Sequence, residues 1–460
     1  MLAARTLDGS GRLLAAGLIA AVTGFVSAHD PVLGLIALAT AVLALLVLGA
    51  PHAVLLVLLA ALPWEGVLGY PSDTLSLVKL LGLLLLMAFL FKVAQGELRL
   101  RAPATAHAVG IFGLLVTLSF VVSPDPGAQS GTLLRFYLFL GFFFLMIQLV
   151  DDEAGVLRVL RVTAASVSAA SLVGLISFLQ GNVDRVAGPI PDPNDFGYLT
   201  ATTLPLLAYL VWSDRGWRPL WLVSFPIVLA ATLATLSRGA IVALGALVVW
   251  ALVTRRIRLG GLIMSTVALA SVLIAGLLLF SPLINERLKA KEHIAAANVA
   301  SRQALWRGAI EMSMDHPITG VGPGRFGVES TNYVRDNPIV LADPVTHNTY
   351  LQILAEAGPF ALAAFLAFLG GSWISLSRYR KRCQAAQNVA GIKLATAVQA
   401  SLLVAIVGGM FLSEDLANPF WLLGALAAII TGALAERQLP EPRTGASRRL
   451  AGHPELARSR

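Results

Sequence analysis

Residues 301–328 read SRQALWRGAIEMSMDHPITGVGPGRFGV, and residues 346–358 read THNTYLQILAEAG. They belong to the one long polar segment of the chain that has long apolar runs on both sides. The segment ends in a histidine at the point where the next apolar run begins. This arrangement predicts a polar cap that sits on a bundle of membrane-spanning helices.

The apolar runs around this segment decide the fold class. The chain has 460 residues, of which 57% are hydrophobic and only 13% are charged, whereas a soluble domain carries about 25% charged residues. About fourteen runs reach the length of a membrane span, or about twelve if two short ones form a re-entrant pair. They lie near 13–28, 31–49, 52–70, 74–93, 105–124, 131–150, 157–180, 193–213, 218–236, 238–253, 259–281, 347–376, 391–413 and 418–436. We therefore predict an all-α polytopic membrane protein, with a bundle of about 12–14 transmembrane helices and one large external helical loop.

The charges of the loops predict which side of the membrane each loop faces. Basic residues concentrate on one side, and the positive-inside rule makes that side cytoplasmic. Examples are Arg255, Arg256 and Arg258, the run 378–382, and the arginine-rich tail after Arg437. We predict four regions, namely an N-terminal transmembrane bundle at 1–281, an external loop at 282–346, C-terminal transmembrane helices at 347–436 and a basic cytoplasmic tail at 437–460.

The composition also narrows the partners and cofactors. The net charge is +8, but basic residues in a polytopic protein mainly report topology, so we expect no nucleic-acid partner. The single cysteine, Cys383, excludes an intrachain disulfide bond, and the histidines show no metal-ligand spacing. We therefore expect neither a metal nor another cofactor.

Two arginines lie on the predicted outer side, where basic residues are otherwise rare. Arg185 is part of GNVDRVAGPIPDPNDFGYLT (residues 181–200), where the prolines predict an extended stretch and Asn194 is a candidate cap for the following helix. Arg238 is part of the tripeptide SRG (residues 237–239), which predicts a tight outer turn between two apolar runs. An arginine on such a turn would point across the outer vestibule.

The polar cap begins with a predicted helix over 301–314. Arg302 and Trp306 are one turn apart on the same side of this helix. The apolar stripe that would pack on the bundle consists of Ala304, Leu305, Ala309 and Met312. A glycine-rich loop follows at 320–327 and permits close backbone approach to a ligand, and residues 328–346 are predicted to be irregular.

His347 stands where the polar cap meets the next span. We predict that Thr346 caps this helix, that His347 lies at its outer end, and that Gly358-Pro359 kinks it. Glu356, about two turns further in, either orients His347 or supports the helix. A lone histidine at a helix end is commonly a capping or interfacial residue, but the outer arginines that accompany it favour a functional role.

These residue types suit the transfer of a sugar from a lipid-linked diphosphate. Guanidinium groups stay charged and bind phosphate oxygens bidentately, so Arg185, Arg238 and Arg302 could hold the diphosphate and stabilise it as it leaves. The acceptor hydroxyl needs a proton acceptor, and a neutral histidine such as His347 fits that role near pH 7. The apolar spans would hold the lipid tail.

At these residues the chain resembles the superfamily of O-antigen ligases and Wzy-type polymerases, which assemble bacterial surface polysaccharides such as lipopolysaccharide and exopolysaccharide. The motifs lie within residues 185–360, and their order, spacing and outer placement together carry the resemblance. They are Arg185 with Gly188 and Asn194, Ser237-Arg238-Gly239, Arg302 with Trp306, His316-Pro317 through Gly320, Gly322 and Phe326, and His347-Asn348 with Tyr350-Leu351, Glu356 and Gly358.

The resemblance implies a GT-C-like helical fold in the bacterial inner membrane, with the active site on the outer face. It implies a metal-independent, inverting transfer of a glycan from undecaprenyl diphosphate to a sugar hydroxyl. By analogy the catalytic residues are His347, Arg302 and Arg238, the diphosphate-binding residues are Arg185, Arg238 and Arg302, and the supporting residues are Asn194, Trp306, Asn348 and Glu356. The acceptor stays open, since ligases use lipid A–core, polymerases use another lipid-linked repeat unit, and related oligosaccharyltransferases use protein.

Two functions of other classes compete with this interpretation. A transporter of lipid-linked oligosaccharides would show internal repeats and charges near the membrane midplane, whereas no repeat is visible here and the notable charges lie on one side. A non-catalytic assembly scaffold would use the arginines as lipid-headgroup contacts. Replacing arginine by lysine would then be mild, but it would be severe if the arginines bind a diphosphate bidentately.

Overall fold

A computed structural model describes residues 50–65, 77–96, 100–254, 301–334, 345–412 and 418–438. These residues form helices and contain no strand, so the all-α prediction is confirmed. The helices are α1 (Pro51–Ala61), α2 (Leu77–Ala94), α3 (Ala104–Val122), α4 (Ser130–Leu149), α5 (Glu153–Leu179), α6 (Pro193–Ser213), α7 (Arg218–Ala234), α8 (Arg238–Val253), α9 (301–315), α10 (Phe326–Tyr333), α11 (Thr349–Ala385), α12 (Val389–Gly408) and α13 (Asn418–Ile429). A π-helical turn extends α13 to Gln438.

Several helices are long and apolar enough to cross a membrane. Within the described residues six qualify, namely α3, α4, α5, α11, α12 and the extended α13, and α1, α7 and α8 are shorter apolar helices. A helix needs about 20 apolar residues to span the hydrocarbon layer, so the chain is a multi-pass membrane protein. The predicted spans 13–28, 31–49 and 259–281 lie outside the described residues, and the total of 12–14 spans stays a prediction.

The centre of the bundle is packed by aromatic rings from α3, α11 and α13. Phe368 stacks on Trp421 with ring centroids 5.5 Å apart, and Phe365 meets Phe420 edge-on at 5.4 Å. All four side chains are fully buried. Small residues let the helices approach, since a Cβ on Gly424 would lie 2.2 Å from the Phe368 ring. Such close packing, rather than hydrophobicity alone, drives helix association in lipid.

Short loops alternate between two ends of the bundle. At one end, Val186 N donates to the Ala234 carbonyl at 3.1 Å and Thr349 N donates to the Gly409 carbonyl at 2.8 Å. We call this the site end; it contains residues 123–129, 180–192, 235–237, 301–334, 345–348 and 409–412. The opposite end contains residues 100–103, 150–152, 214–217 and 386–388, where Arg101 pairs with Asp151.

Some predicted boundaries near the polar cap differ from the structure. The span predicted at 347–376 is α11, which begins at Thr349 and continues to Ala385. Helix α10 (Phe326–Tyr333) begins at the end of the predicted glycine-rich loop and continues into the segment 328–346, which was predicted to be irregular. The helix predicted over 301–314 is confirmed as α9 and ends at residue 315.

Candidate active site at one end of the bundle

Arg185 lies in the loop before α6 and is fixed by two hydrogen bonds. Its Nη2 group donates to Asn194 Oδ1 and its Nε donates to the Thr235 carbonyl, both at 2.7 Å. The cap of α6 is Asp192, whose carboxylate accepts from Asn194 N at 2.6 Å, and Pro193 is the first helical residue. The prediction that Asn194 caps α6 is therefore wrong. A charged aspartate also interacts favourably with the helix dipole, and the Asn194 amide is left to hold Arg185.

Arg238 is the first helical residue of α8, and its side chain is exposed. Ser237 is the cap, and the chain reverses just before it at Leu236, which has a φ of +52°. The prediction of a tight turn through Arg238 is therefore wrong. Gly239 serves close packing, since a Cβ there would lie 2.7 Å from Phe411 Cβ. A cation at a helix N-terminus opposes the helix dipole, so Arg238 is poorly placed for stability and well placed for an anion that also meets the N-terminal amides.

Helix α9 holds Arg302 and Trp306 against the bundle. The predicted apolar stripe is confirmed, because its members pack in one small core: Ala304, Leu305, Ala309 and Met312. Arg302 is half-buried. One turn later, Trp306 Nε1 donates to the Thr346 carbonyl at 2.9 Å. Thr346 directly precedes His347, so this bond brings the helix that carries Arg302 next to the histidine.

The three arginines are linked by electrostatic interactions, and the Asp192 carboxylate acts on two of them. Burial lowers the pKa of Arg302, Asp192 raises that pKa, and the positive charge of Arg238 lowers it. Burial also lowers the pKa of Arg185, which Asp192 again raises. Arginine nevertheless stays charged at neutral pH. In the part of the chain that the structure describes, none of the three forms a direct ion pair with a carboxylate. We call them the arginine cluster.

The glycine-rich loop docks on a broken turn of α11. Its left-handed glycines have φ between +66° and +110°: Gly320, Gly322 and Gly324. Val321 N and Gly322 N donate to the carbonyls of Ala355 and Glu356, both at 2.9 Å. Those carbonyls are available because Gly358, at φ +82° and followed by Pro359, breaks the helix. The predicted kink is therefore confirmed, and the glycines allow close approach to the bundle: a Cβ on Gly320 would lie 2.4 Å from the Ala355 carbonyl.

Glu356 fastens this loop. Its carboxylate accepts from Gly324 N at 2.7 Å and from Phe326 N at 3.2 Å, and the Gln352 side-chain amide donates to it as well. The side chain is only 4% exposed. A carboxylate bound by backbone amides at the start of α10 is stabilised by charge-assisted hydrogen bonds and by the helix dipole. Of the two predicted roles for Glu356, support of the local structure is the one that these contacts show.

His347 lies just before α11 and not within its first turn. Asn348 is the cap, and its side chain accepts from the amides of Tyr350 and Leu351. The prediction that Thr346 caps the helix is therefore wrong. His347 is half-buried and has a φ of +50°, a left-handed conformation that costs a residue with a Cβ roughly 1–2 kcal/mol. Strain of this kind concentrates at functional sites.

The N-termini of α6, α8 and α11 all lie at the site end, together with the arginine cluster and His347. The arrangement can bind an anion of high charge through guanidinium groups and backbone amides. Sequence reasoning missed two residues of this region, Asp192 and Gln352. Asp192 could have been found from the Asp-Pro pair at a helix start, whereas nothing in the local sequence distinguishes Gln352.

Comparison with known proteins supports the resemblance found in the motifs. A family model described as O-antigen ligase matches residues 220–366, a range that includes Arg238, Arg302, His347 and Glu356. The chain is also 28% identical to an O-antigen ligase of Pseudomonas aeruginosa in an alignment of 296 residues, which covers 60% of this chain and 67% of that protein. The similarity to the superfamily of O-antigen ligases and Wzy-type polymerases is thereby confirmed.

Proposed function

We propose that this chain is a glycosyltransferase of the bacterial inner membrane, which moves a glycan from undecaprenyl diphosphate to a sugar hydroxyl during ligation or polymerisation of surface polysaccharide. The observation that carries the proposal is the arginine cluster at the site end, in which Arg302 interacts with Asp192 and Arg238, while Trp306 of the same helix binds the residue before His347. The match to O-antigen ligase supports a role in joining glycans at a membrane. The basic loops favour an orientation in which the site end faces outward.

The arginine cluster would bind the diphosphate of the donor. Arg238 and Arg302 act as electrostatic partners of the phosphate oxygens, and the N-terminal amides of α8 add donors. Arg185 is already held by Asn194 and Thr235, so it contributes its remaining N–H groups from a fixed position. Because the cluster carries more positive than negative charge, it is arranged for an anion and not for a neutral ligand.

The transfer step needs one proton acceptor. The acceptor hydroxyl oxygen attacks the anomeric carbon, the bond between that carbon and the diphosphate oxygen breaks, and the hydroxyl proton passes to His347. A single displacement of this kind inverts the configuration at the anomeric carbon. The leaving undecaprenyl diphosphate gains a negative charge, which the arginine cluster stabilises more strongly than it stabilises the bound donor. Trp306 positions the residue before His347 through the Thr346 carbonyl.

The test is a transfer assay with purified protein in nanodiscs. Undecaprenyl-diphosphate-linked glycan is supplied in the presence of EDTA, either alone or with lipid A–core. Release of undecaprenyl diphosphate with longer lipid-linked chains identifies a polymerase, and release only with lipid A–core identifies a ligase. His347→Ala should lower the rate by about 10²–10⁴-fold while donor binding persists, because general base catalysis is lost.

Two results would contradict the proposal. Normal product formation by His347→Ala would remove the histidine from the reaction. The second result would come from proteoliposomes in which the wild-type protein releases no undecaprenyl diphosphate with any acceptor but moves the donor across the bilayer. That outcome would assign the chain to transport of lipid-linked oligosaccharides, the alternative that the membrane fold also allows.

A further inference from the structure

A chain of buried polar groups runs from the glycine-rich loop to the residue before His347. The Gln352 side chain is its centre: the amide nitrogen donates to Glu356, and Oε1 accepts from Thr346 N at 3.2 Å and lies 3.0 Å from the Thr346 hydroxyl. Thr346, Gln352 and Glu356 are 0%, 8% and 4% exposed. Buried polar groups destabilise a protein unless they are paired, so this chain of hydrogen-bonded side chains is a specific feature of the fold.

The two ends of the polar chain contact different structural elements. Glu356 binds the amides of Gly324 and Phe326 and so fixes the glycine-rich loop. Thr346 is held on its other side by Trp306 of α9. Gln352 therefore connects the docked loop to the backbone that enters His347, although these segments are far apart in sequence.

The backbone at His347 depends on its two neighbours. The Thr346 hydroxyl accepts from Asn348 N at 3.1 Å and lies 2.8 Å from the Asn348 carbonyl, so the two residues close a tight turn around the histidine. His347 has a φ of +50° in this turn. A residue with a Cβ keeps such a conformation only when the surrounding structure enforces it. Contacts that hold Thr346 thus decide where the imidazole lies.

We propose that Gln352 is a positioning residue for the transfer reaction, because it holds Thr346 in the geometry that places His347 beside the arginine cluster. The inference rests on the proposed function, since it assumes that His347 receives the proton. Only a side chain with an acceptor on one side and a donor on the other satisfies both neighbours, and a glutamine amide has both. Gln352 itself touches no reacting atom in this scheme.

The test compares Gln352→Leu with a matched control, Gln399→Leu. Gln399 is 1% exposed and also makes three hydrogen bonds, to the Trp373 carbonyl, to Ser377 and from Arg380. It lies in α12, away from the site end. Donor and acceptor are those of the transfer assay, in nanodiscs. We expect Gln352→Leu to lower kcat by about 10–100-fold with little change in the KM of the donor, and Gln399→Leu to change kcat by less than about two-fold.

The pH profile separates positioning from loss of structure. In the wild-type protein kcat should fall towards acid pH, because a protonated histidine cannot accept the proton. The residual activity of Gln352→Leu should lack this acid limb, as that of His347→Ala should, because a displaced imidazole no longer takes part. A variant that is merely less folded would keep the acid limb at lower amplitude, and that result would overturn the inference.

Thr346→Val provides a second, smaller change in case Gln352→Leu does not fold. This substitution removes only the hydroxyl group. We expect a smaller fall in kcat than in Gln352→Leu and a partial loss of the acid limb. If Thr346→Val and Gln352→Leu both keep wild-type kcat while His347→Ala loses it, the positioning role fails and the proposed function stands. If His347→Ala keeps wild-type kcat and its acid limb, His347 is not the proton acceptor and the positioning role of Gln352 fails with it. If the wild-type protein releases no undecaprenyl diphosphate with any acceptor, the proposed function itself fails.

Discussion

The arginines at the two ends of the bundle are held in different ways. At the opposite end Arg161 donates two hydrogen bonds of 2.7 Å to Asp214, and Arg101 pairs with Asp151 at 3.0 Å. At the site end the Asp192 carboxylate raises the pKa of both Arg185 and Arg302, but within the described residues the arginine cluster forms no direct ion pair. Both sets of arginines come from the same chain and flank the same helices.

We infer from this difference that the two sets of arginines have different roles. A paired arginine contributes to stability, because its partner compensates for the water that both groups lose. Grouped arginines that lack matched carboxylates repel one another and lose solvent, so they destabilise the empty protein. Such a group persists in a fold when an anion from outside the chain completes it, and a lipid diphosphate at the membrane surface has the required charge.

The largest expected effect comes from replacing a guanidinium group of the arginine cluster by the ammonium group of lysine. Arg302→Lys and Arg238→Lys keep the positive charge but lose the bidentate fork, and we expect the kcat/KM for transfer to fall about 10²-fold or more. The matched control is Arg101→Lys at the opposite end, which should change kcat/KM by less than about three-fold. Equal losses in the site-end variants and the control would remove the distinction between the two ends.

The ion pair between Arg161 and the buried Asp214 at the opposite end should matter for stability and not for transfer. Asp214 is 3% exposed and also accepts from Trp221 Nε1 at 2.9 Å. Asp214→Asn should lower the free energy of unfolding by about 2 kcal/mol at pH 7, because a charge-assisted pair becomes a neutral contact beside Arg161. Thermal unfolding in detergent measures this, and transfer activity per folded molecule should stay unchanged.

Because of the ion pair between Arg161 and Asp214, we expect the stability of the protein to depend on pH. The hydrogen bonds from Arg161 are the main cause that lowers the pKa of Asp214. A carboxylate whose folded pKa lies below its unfolded value of about 3.9 stabilises the protein above that pH and loses the contribution as pH falls through the folded pKa. The wild-type melting temperature should therefore drop below about pH 4 more steeply than that of Asp214→Asn. Parallel curves would show that the pair does not contribute.

A smaller effect is expected from the carboxylate within the arginine cluster. Asp192→Asn keeps a good helix cap but removes the nearby negative charge, so inorganic pyrophosphate should bind about 5–10-fold more tightly. Inhibition of transfer by pyrophosphate measures the change. Asp125→Asn, in the loop between α3 and α4 at the same end, is the control and should leave inhibition unchanged. Weaker inhibition of Asp192→Asn would place the anion away from this cluster.

The smallest effect is expected where the arginines are paired but exposed. Asp151 binds both Arg101 and Arg437, and the three side chains are 35%, 38% and 55% exposed. Asp151→Asn should lower the free energy of unfolding by about 0.5–1 kcal/mol, and less at high salt. A loss as large as that of Asp214→Asn would show that exposure does not separate these pairs.

The sequence predicted the features that depend on periodicity or on special backbone residues. The apolar stripe through Leu305, Ala309 and Met312 indicated α9, and Gly358-Pro359 indicated the kink in α11. Both signals are local, because the side chains of one helix face are set by spacing and a proline removes a specific hydrogen bond. The short polar helix α10 was missed because FGVESTNY has no clear apolar face, and its start is stabilised by Glu356 from elsewhere in the chain.

The helix caps and the long-range hydrogen bonds of the site could not be predicted from the sequence in this way. Asn, Asp and Thr cap helices almost equally well, so the choice of Asp192 over Asn194 follows from the partner of Asn194, which is Arg185. Gln352 was missed because its role comes from contacts between α11, the glycine-rich loop and Thr346. Such contacts depend on how distant segments fold together, and a single sequence does not contain them as a pattern.

The most direct test of this account is the affinity of undecaprenyl diphosphate for the protein in nanodiscs, measured for the wild type, Arg302→Lys and Arg101→Lys. The account predicts binding at least about 30-fold weaker for Arg302→Lys, because the bidentate contacts are lost, and wild-type binding for Arg101→Lys. Equal affinity in all three proteins would contradict it, since the arginines at the site end would then have no role in binding a lipid diphosphate.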